Sequence, residues 1–428
     1  MGLFHKLSIT IALISLMALL LPFSVARADE AVAFPDPHLL ARIREAIGKP
    51  TGDIYQSDLK GLTSLSANSG RITDLSGLEY CTSLTYLSLA YNEISDISPL
   101  SNLISLNYLN LHVNHVSNIS PLSKLTSLTQ LSLAQNQISD ISVLSGLTKL
   151  IGLYISENQI SDLSPLSNLV GLTDLQIQNN QISDLSPLSH LTGLTKLYFW
   201  KNQVSELSPL SNLTGLTDLQ LGYNQVSDLS PLSKLTKLAN LQMGGNKLSD
   251  ISPLSNLIGL TDLRLWSNQI SDVSALSKLT KLTYLSLYLN QISDISPLVE
   301  NSGLGQGDTV DLAWNPLDSK SVDDYIPQLQ QRGVILGWGA EHPTAPTPTP
   351  KPTPLTTPPE LTSLPPTPSP APIPLTTPPE LTSPPPTPSP TPIPEKKETP
   401  FNTWVIIGPI LGVLAAGGAV FYFLRRRK

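Results

Sequence analysis

Leucine and isoleucine return in a fixed rhythm along most of the chain. From Leu84 the order is Leu-Thr-Tyr-Leu-Ser-Leu-Ala-Tyr-Asn, with apolar residues at the first, fourth and sixth positions, then at Ile94, Ile97, Leu100 and Leu103. Asparagine keeps step at 92, 114, 136, 158, 180, 202, 224, 246, 268 and 290, each 22 residues after the last. Eleven such units run from Leu62 to Gly303, and a twelfth starts at Leu304 with three inserted residues and closes at Asn315. A period in the twenties predicts a solenoid, because one unit is too small to bury its own apolar face and must stack on its neighbours.

One unit is legible coil by coil. Alternation from Leu87 predicts a short strand with Leu87 and Leu89 inward, and stacked strands form a parallel sheet with about 4.8 Å per coil. Asn92 stands where the chain leaves the strand, and its amide can satisfy backbone groups of adjoining coils that burial would leave unpaired. Ser98-Pro99 predicts a helical turn, serine capping and proline at the first position. The pair recurs at Ser120, Ser164, Ser186, Ser208, Ser230, Ser252 and Ser296. Cys81 falls in the apolar column of Leu103 and is expected to be a small buried hydrophobe. The aspartate column that begins at Asp96 supplies one carboxylate per coil, which does not converge on a calcium ion.

A solenoid needs both open ends covered. Asp36-Pro37 followed by apolar residues at 39, 40, 43 and 47 predicts an amphipathic helix over the first coil. After the repeats, Ser321 to Arg332 predicts a second helix stopped by Gly333, and Val334 to Leu336 a last strand.

The L-x-x-L-x-L-x-x-N core, ten times in register, resembles the leucine-rich repeat family in its 22-residue internalin-like class, over roughly residues 35 to 340. The resemblance implies an α/β leucine-rich repeat solenoid. It has a parallel sheet on the concave face, short 3-10 or helical turns on the convex face, and helical caps at both ends. The expected organisation is an N-terminal cap over 29–61, repeats over 62–318 and a C-terminal cap over 319–340. The wall-sorting motif of many relatives is not matched, since Pro368 follows Leu364-Pro365-Pro366-Thr367 where glycine is needed.

The two termini predict an address. Lys6, the apolar run Leu7–Leu21 and Ala26-Arg27-Ala28 have the form of a signal peptide over 1–28. Residues 403–424 carry no charge and precede Arg425-Arg426-Arg427-Lys428, as a membrane-spanning helix with a cytoplasmic basic tail at 425–428 would. Between solenoid and span, 341–402 is rich in proline and threonine and reads as a disordered, extended stalk. The predicted product is a single-pass cell-membrane protein with its solenoid outside.

Of 26 Lys and Arg, six lie in those two terminal segments, whereas all 33 Asp and Glu lie between them. The exterior is therefore acidic, which argues against nucleic acid. The single cysteine excludes a disulfide framework. No cofactor is implied. His112 and His115 invite a metal reading, but His115 belongs to a turn and its stacked neighbour in the column is Glu93, so an ion pair is its expected role and no metal is expected. No catalytic constellation stands out, because the serines and aspartates recur in every coil. An enzyme is not expected.

Positions three, five, seven and eight of a coil point away from the predicted core and are expected to line the concave face. They hold Tyr86, Tyr108 and Tyr284 at three, and Tyr154, Tyr198 and Arg264 at five. Position seven holds His112, Trp200, Trp266 and Tyr288; position eight holds Tyr91, Tyr223 and Trp314. Nothing in the repeat requires aromatic residues there, and tyrosine, tryptophan and arginine dominate binding energy at interfaces. The expected function is capture of an extracellular macromolecule, a protein first and a glycan second, with Trp200 and Trp266 as anchors. The alternative is a passive envelope or cell–cell scaffold, which scattered rather than contiguous rings would favour.

Overall fold

The computed structural model describes residues 29–338. The expected signal peptide, stalk, membrane span and basic tail lie outside the described residues. No helix among the described residues is long and apolar enough to cross a membrane.

Each coil contributes one three-residue strand, from β1 (Ser64–Ser66) and β2 (Tyr86–Ser88), through β7 (Lys196–Tyr198) and β10 (Asp262–Arg264), to β12 (Thr309–Asp311) and β13 (Ile335–Gly337). The strands form one 13-stranded parallel sheet in chain order. The register is the sequence repeat itself, with Leu65 beside Leu87 and Leu87 beside Leu109. Where three residues are inserted, Leu285 still pairs with Val310, so the extra length is taken up between strands. Fully buried Asn301 serves that longer connection, donating to the Leu276 and Leu279 carbonyls. The inward leucines make one continuous apolar core from Val32 to Val334.

On the convex side most coils make a short 3-10 turn, such as Ser98–Leu100. The capping expectation needs correcting here. The serine hydroxyl does not cap; the aspartate two residues earlier does. Asp96 accepts the Ser98 amide at 2.8 Å and the Ser98 hydroxyl at 2.9 Å, and the arrangement recurs at Asp162, Asp184, Asp228 and Asp294. A carboxylate reaches back to a turn's free N–H more readily than a hydroxyl already inside the turn.

A second correction concerns the concave face. The strand ends at position five. Position eight, just before each column asparagine, has left-handed backbone, with φ of 58° at Tyr91, 53° at Tyr223 and 58° at Trp314. Only Gly245 fills it with glycine, and the other coils put a full side chain in a conformation that costs about 1 kcal/mol or more. The reward is the asparagine ladder. Asn224 Oδ1 accepts the Val204 amide of the preceding coil at 3.0 Å. Its Nδ2 donates to Phe199 O of that coil and to Leu221 O of its own, both at 3.1 Å.

Helix α1 (Pro37–Ile47) covers the first coil with Leu39 and Ile43 buried. Asp36 caps it by accepting the His38 and Leu39 amides, and its other oxygen accepts the Thr73 amide at 2.8 Å, tying helix to coil. At the far end a π-helical turn, Ser321–Tyr325, leads into a helix over Ile326–Gln331, and β13 then adds to the sheet. Cys81 is fully buried, and burial with the Glu79 charge pushes its thiol up to about 12.

Two predictions follow from the ladder and the first cap. Asn224→Ala leaves the buried Val204 N–H without a partner, while the Phe199 and Leu221 carbonyls keep Asn202 and Asn246, and should lower unfolding free energy in urea by about 1–3 kcal/mol; a loss under about 0.5 kcal/mol would mean the column is dispensable. At Asp36 burial works to raise the carboxyl pKa, but the Thr73, Leu39, Asp74 and His38 amides together outweigh it and hold it below the ordinary 3.8. A depressed folded-state value stabilises above the unfolded one, so this contribution is complete above pH 3.8 and fades as pH falls below it. Asp36→Asn should therefore flatten the acid limb of stability against pH, and an unchanged limb would contradict it.

Candidate functional site

The residues nominated from the sequence divide into three groups. Those at positions three and five stand on the strands. Tyr86 and Tyr108 stack at 4.5 Å between ring centroids, on neighbouring strands. Tyr198 donates to Asp218 Oδ2 at 2.6 Å, so its hydroxyl is already used within the fold. Burial, then that hydrogen bond and the Asp218 charge, push its phenol far above the usual range. Tyr154 has a longer contact of 3.4 Å with Asp174, and burial followed by the Asp174 charge raises it to about 12. Burial also raises Asp174 itself. Tyr154 and Tyr198 are thus ties between coils more than free contact points.

Arg264 shares the strand face. It forms a two-point ion pair with Asp262 of its own strand, Nε to Oδ1 at 2.9 Å and Nη2 to Oδ2 at 2.8 Å. Its guanidinium stacks 4.7 Å from the Tyr284 ring centroid in the next coil. Both contacts hold a bulky cation flat and partly exposed, with little rotamer freedom left to lose on binding.

The residues at positions seven and eight lie past the strand ends, on the rim where the chain turns. Trp266 meets Tyr223 edge-on at 5.1 Å and stacks on Tyr288 at 5.9 Å. The Lys201 ammonium sits 5.3 Å from the Trp200 ring and 5.9 Å from Tyr223, joining the two across neighbouring coils. Trp200, Lys201, Tyr223, Trp266 and Tyr288 are therefore one contiguous patch over five coils. Tyr223 is 52% exposed. At the other end of the rim Tyr91 meets His112 edge-on at 5.2 Å, and His112 Nδ1 lies 3.1 Å from the Ala134 carbonyl. Trp314 is 49% exposed in the twelfth coil and shares none of these ring contacts. His115 and Glu93 are both exposed, and no ion pair joins them.

Sequence reasoning missed the residues that make room for the rings. A Cβ on Gly244 would fall 2.0 Å from Trp266 Cε2, and one on Gly245 would come 2.9 Å from Tyr223 Cδ1. Absent side chains, rather than added ones, shape the patch. The signal was available as Gly244-Gly245 at positions seven and eight, flanked by aromatics in the same columns. Gly244→Ala should swing the Trp266 ring off its neighbours, changing near-ultraviolet circular dichroism and tryptophan emission with far-ultraviolet signal intact; unchanged spectra would show that the ring is not seated on the glycine.

The family model for leucine-rich repeats, in two-copy form, matches residues 60–102, 104–146, 148–190, 192–234, 214–256 and 258–300. Among solved structures, an internalin, InlF of Listeria monocytogenes, is 37% identical with a TM-score of 0.69, over 74% of this chain and 94% of that one. A leucine-rich repeat protein of Leptospira interrogans is 28% identical with a TM-score of 0.53, over 55% and 63%. The functional domain of InlJ from Listeria monocytogenes, which includes a cysteine ladder, shares the fold at 24% identity and a TM-score of 0.54, over 72% and 62%. No curated protein sequence matches the chain.

Proposed function

The chain belongs to the leucine-rich repeat family with internalin-like structural neighbours, and from that premise we propose that it is a cell-surface recognition protein. It captures a protein partner non-covalently on the concave side of the solenoid, and the aromatic patch on the rim supplies the anchors. The observation that carries this reading is contiguity. Trp200, Lys201, Tyr223, Trp266 and Tyr288 form an unbroken chain of contacts, with Trp266 reaching Tyr223 over the Gly244-Gly245 coil between them, where a passive scaffold would have no need to gather rings.

The physical case is one of preorganisation. Rings seated on glycine backbone and cations stacked on rings lose little side-chain entropy on association, and truncating such anchors costs more than truncating the rim around them. The patch is extended over five coils, which suits a macromolecular surface more than a small molecule. Display outside the cell rests on the terminal segments: a leader over 1–28, a Pro/Thr-rich spacer over 341–402 and an apolar stretch over 403–424 before four basic residues. The recurrence of serine and aspartate in every coil leaves no singular reactive group, and we read the protein as a binder, not an enzyme.

The test is cross-linking on intact cells that display the full chain, against cells that display a Trp266→Ala/Tyr223→Ala variant. Partner capture should fall at least about tenfold in the variant, as expected for the loss of two anchors. Equal capture of the same protein by both would remove the patch from the interface.

A further inference from the structure

The rim carries a second feature beside the aromatic patch. In the three coils just before Trp200, an open cavity of about 620 Å³ is lined by Gln135, Glu157, Gln159, Asn179 and Gln181 together with the column asparagines of the same coils. Those asparagines, 136, 158 and 180, are half-buried, whereas Asn92, Asn114, Asn202 and Asn224 are buried. The ladder is thus somewhat more exposed along this stretch than in the other described coils. Gln178, the residue before Asn179, holds its Oε1 buried with no hydrogen-bond partner. Its neighbour at the same position of the next coil is Trp200.

The chemistry of the lining is specific. No lysine or arginine lines the cavity, and its one carboxylate, Glu157, already accepts from Gln135 Nε2 at 2.9 Å. What remains is primary amides, each able to donate and to accept. That set matches neither phosphate nor a charged peptide. A peptide that binds by adding a strand would need an unpaired sheet edge, and among the described residues the sheet has such edges only at β1 and β13. Hydroxyl groups, which also donate and accept, fit a field of amides, and a pyranose adds an apolar face that packs on an aromatic ring.

We propose that this stretch of the rim binds a neutral oligosaccharide, its hydroxyls on Gln159, Asn179 and Gln181 and its end ring against Trp200, one coil beyond the cavity. The site shares Trp200 with the protein-capturing patch and is otherwise separate from it, because Trp266 and Tyr223 take no part.

Isothermal titration calorimetry of the full-length chain with cellohexaose, chitohexaose, mannohexaose and maltohexaose tests it. At least one should bind with a Kd between about 10 μM and 1 mM. Gln159→Ala/Gln181→Ala and, separately, Trp200→Ala should each weaken that sugar about tenfold or more with melting temperature unchanged, while Trp266→Ala leaves it as it was. No saturation with any of the four, equal binding by the double variant, or equally tight binding of an acidic hexasaccharide of hyaluronan would each overturn the proposal. Loss of sugar binding in Trp266→Ala would also overturn it, by merging the two sites. Loss of protein capture alone in that variant would leave the sugar site standing.

Discussion

The structure depends on what happens to backbone polar groups where each coil leaves its strand. A parallel sheet of three-residue strands satisfies few of them, and the turn that follows is buried between neighbours, so unpaired N–H and C=O groups there would each cost on the order of 1–3 kcal/mol. One asparagine per coil answers the need from both of its ends, accepting from the coil behind and donating to that coil and its own. The amide must point inward to do so, and the chain can present it inward only by passing through a left-handed residue first. Everything on the rim inherits that requirement.

The rim is therefore an unusual surface. Its position-eight side chains stand on backbone that few residues adopt freely, which fixes their direction even when nothing packs against them. Tyr91, Tyr223 and Trp314 are held in this way. The same geometry sets position seven just outside the sheet, so Trp200, Trp266 and Tyr288 lean along the rim and not across the concave strands. Strand positions behave differently. Tyr198 and Asp218, or Arg264 and Asp262, find partners within a coil step and become part of the sheet's own polar lining.

What could be read from the sequence was what repeats. The 22-residue period, the inward leucines and the asparagine column all state their role many times over, and the three inserted residues before β12 announce themselves as a break in register. What could not be read was what happens once. The seating of Trp266 on Gly244 depends on two coils being read together, with glycine as the informative residue. Concave face and rim were merged because alternation alone does not say where a strand stops; that is fixed by the backbone sign at position eight, which Tyr and Trp do not advertise. The capping role passed from serine to aspartate for a similar reason, since both residues are good caps and only the turn geometry separates them.

The constant step of the sheet makes distance along the molecule a matter of counting. Since each coil contributes the same advance, about 4.8 Å, duplicating one coil between Asn180 and Trp200 would slide the aromatic patch, Trp200 included, away from the amide cavity by that amount and leave the lining of each unchanged. The spacing between neighbouring features is thus adjustable in whole increments, like notches on a rule, while the chemistry of each notch stays its own.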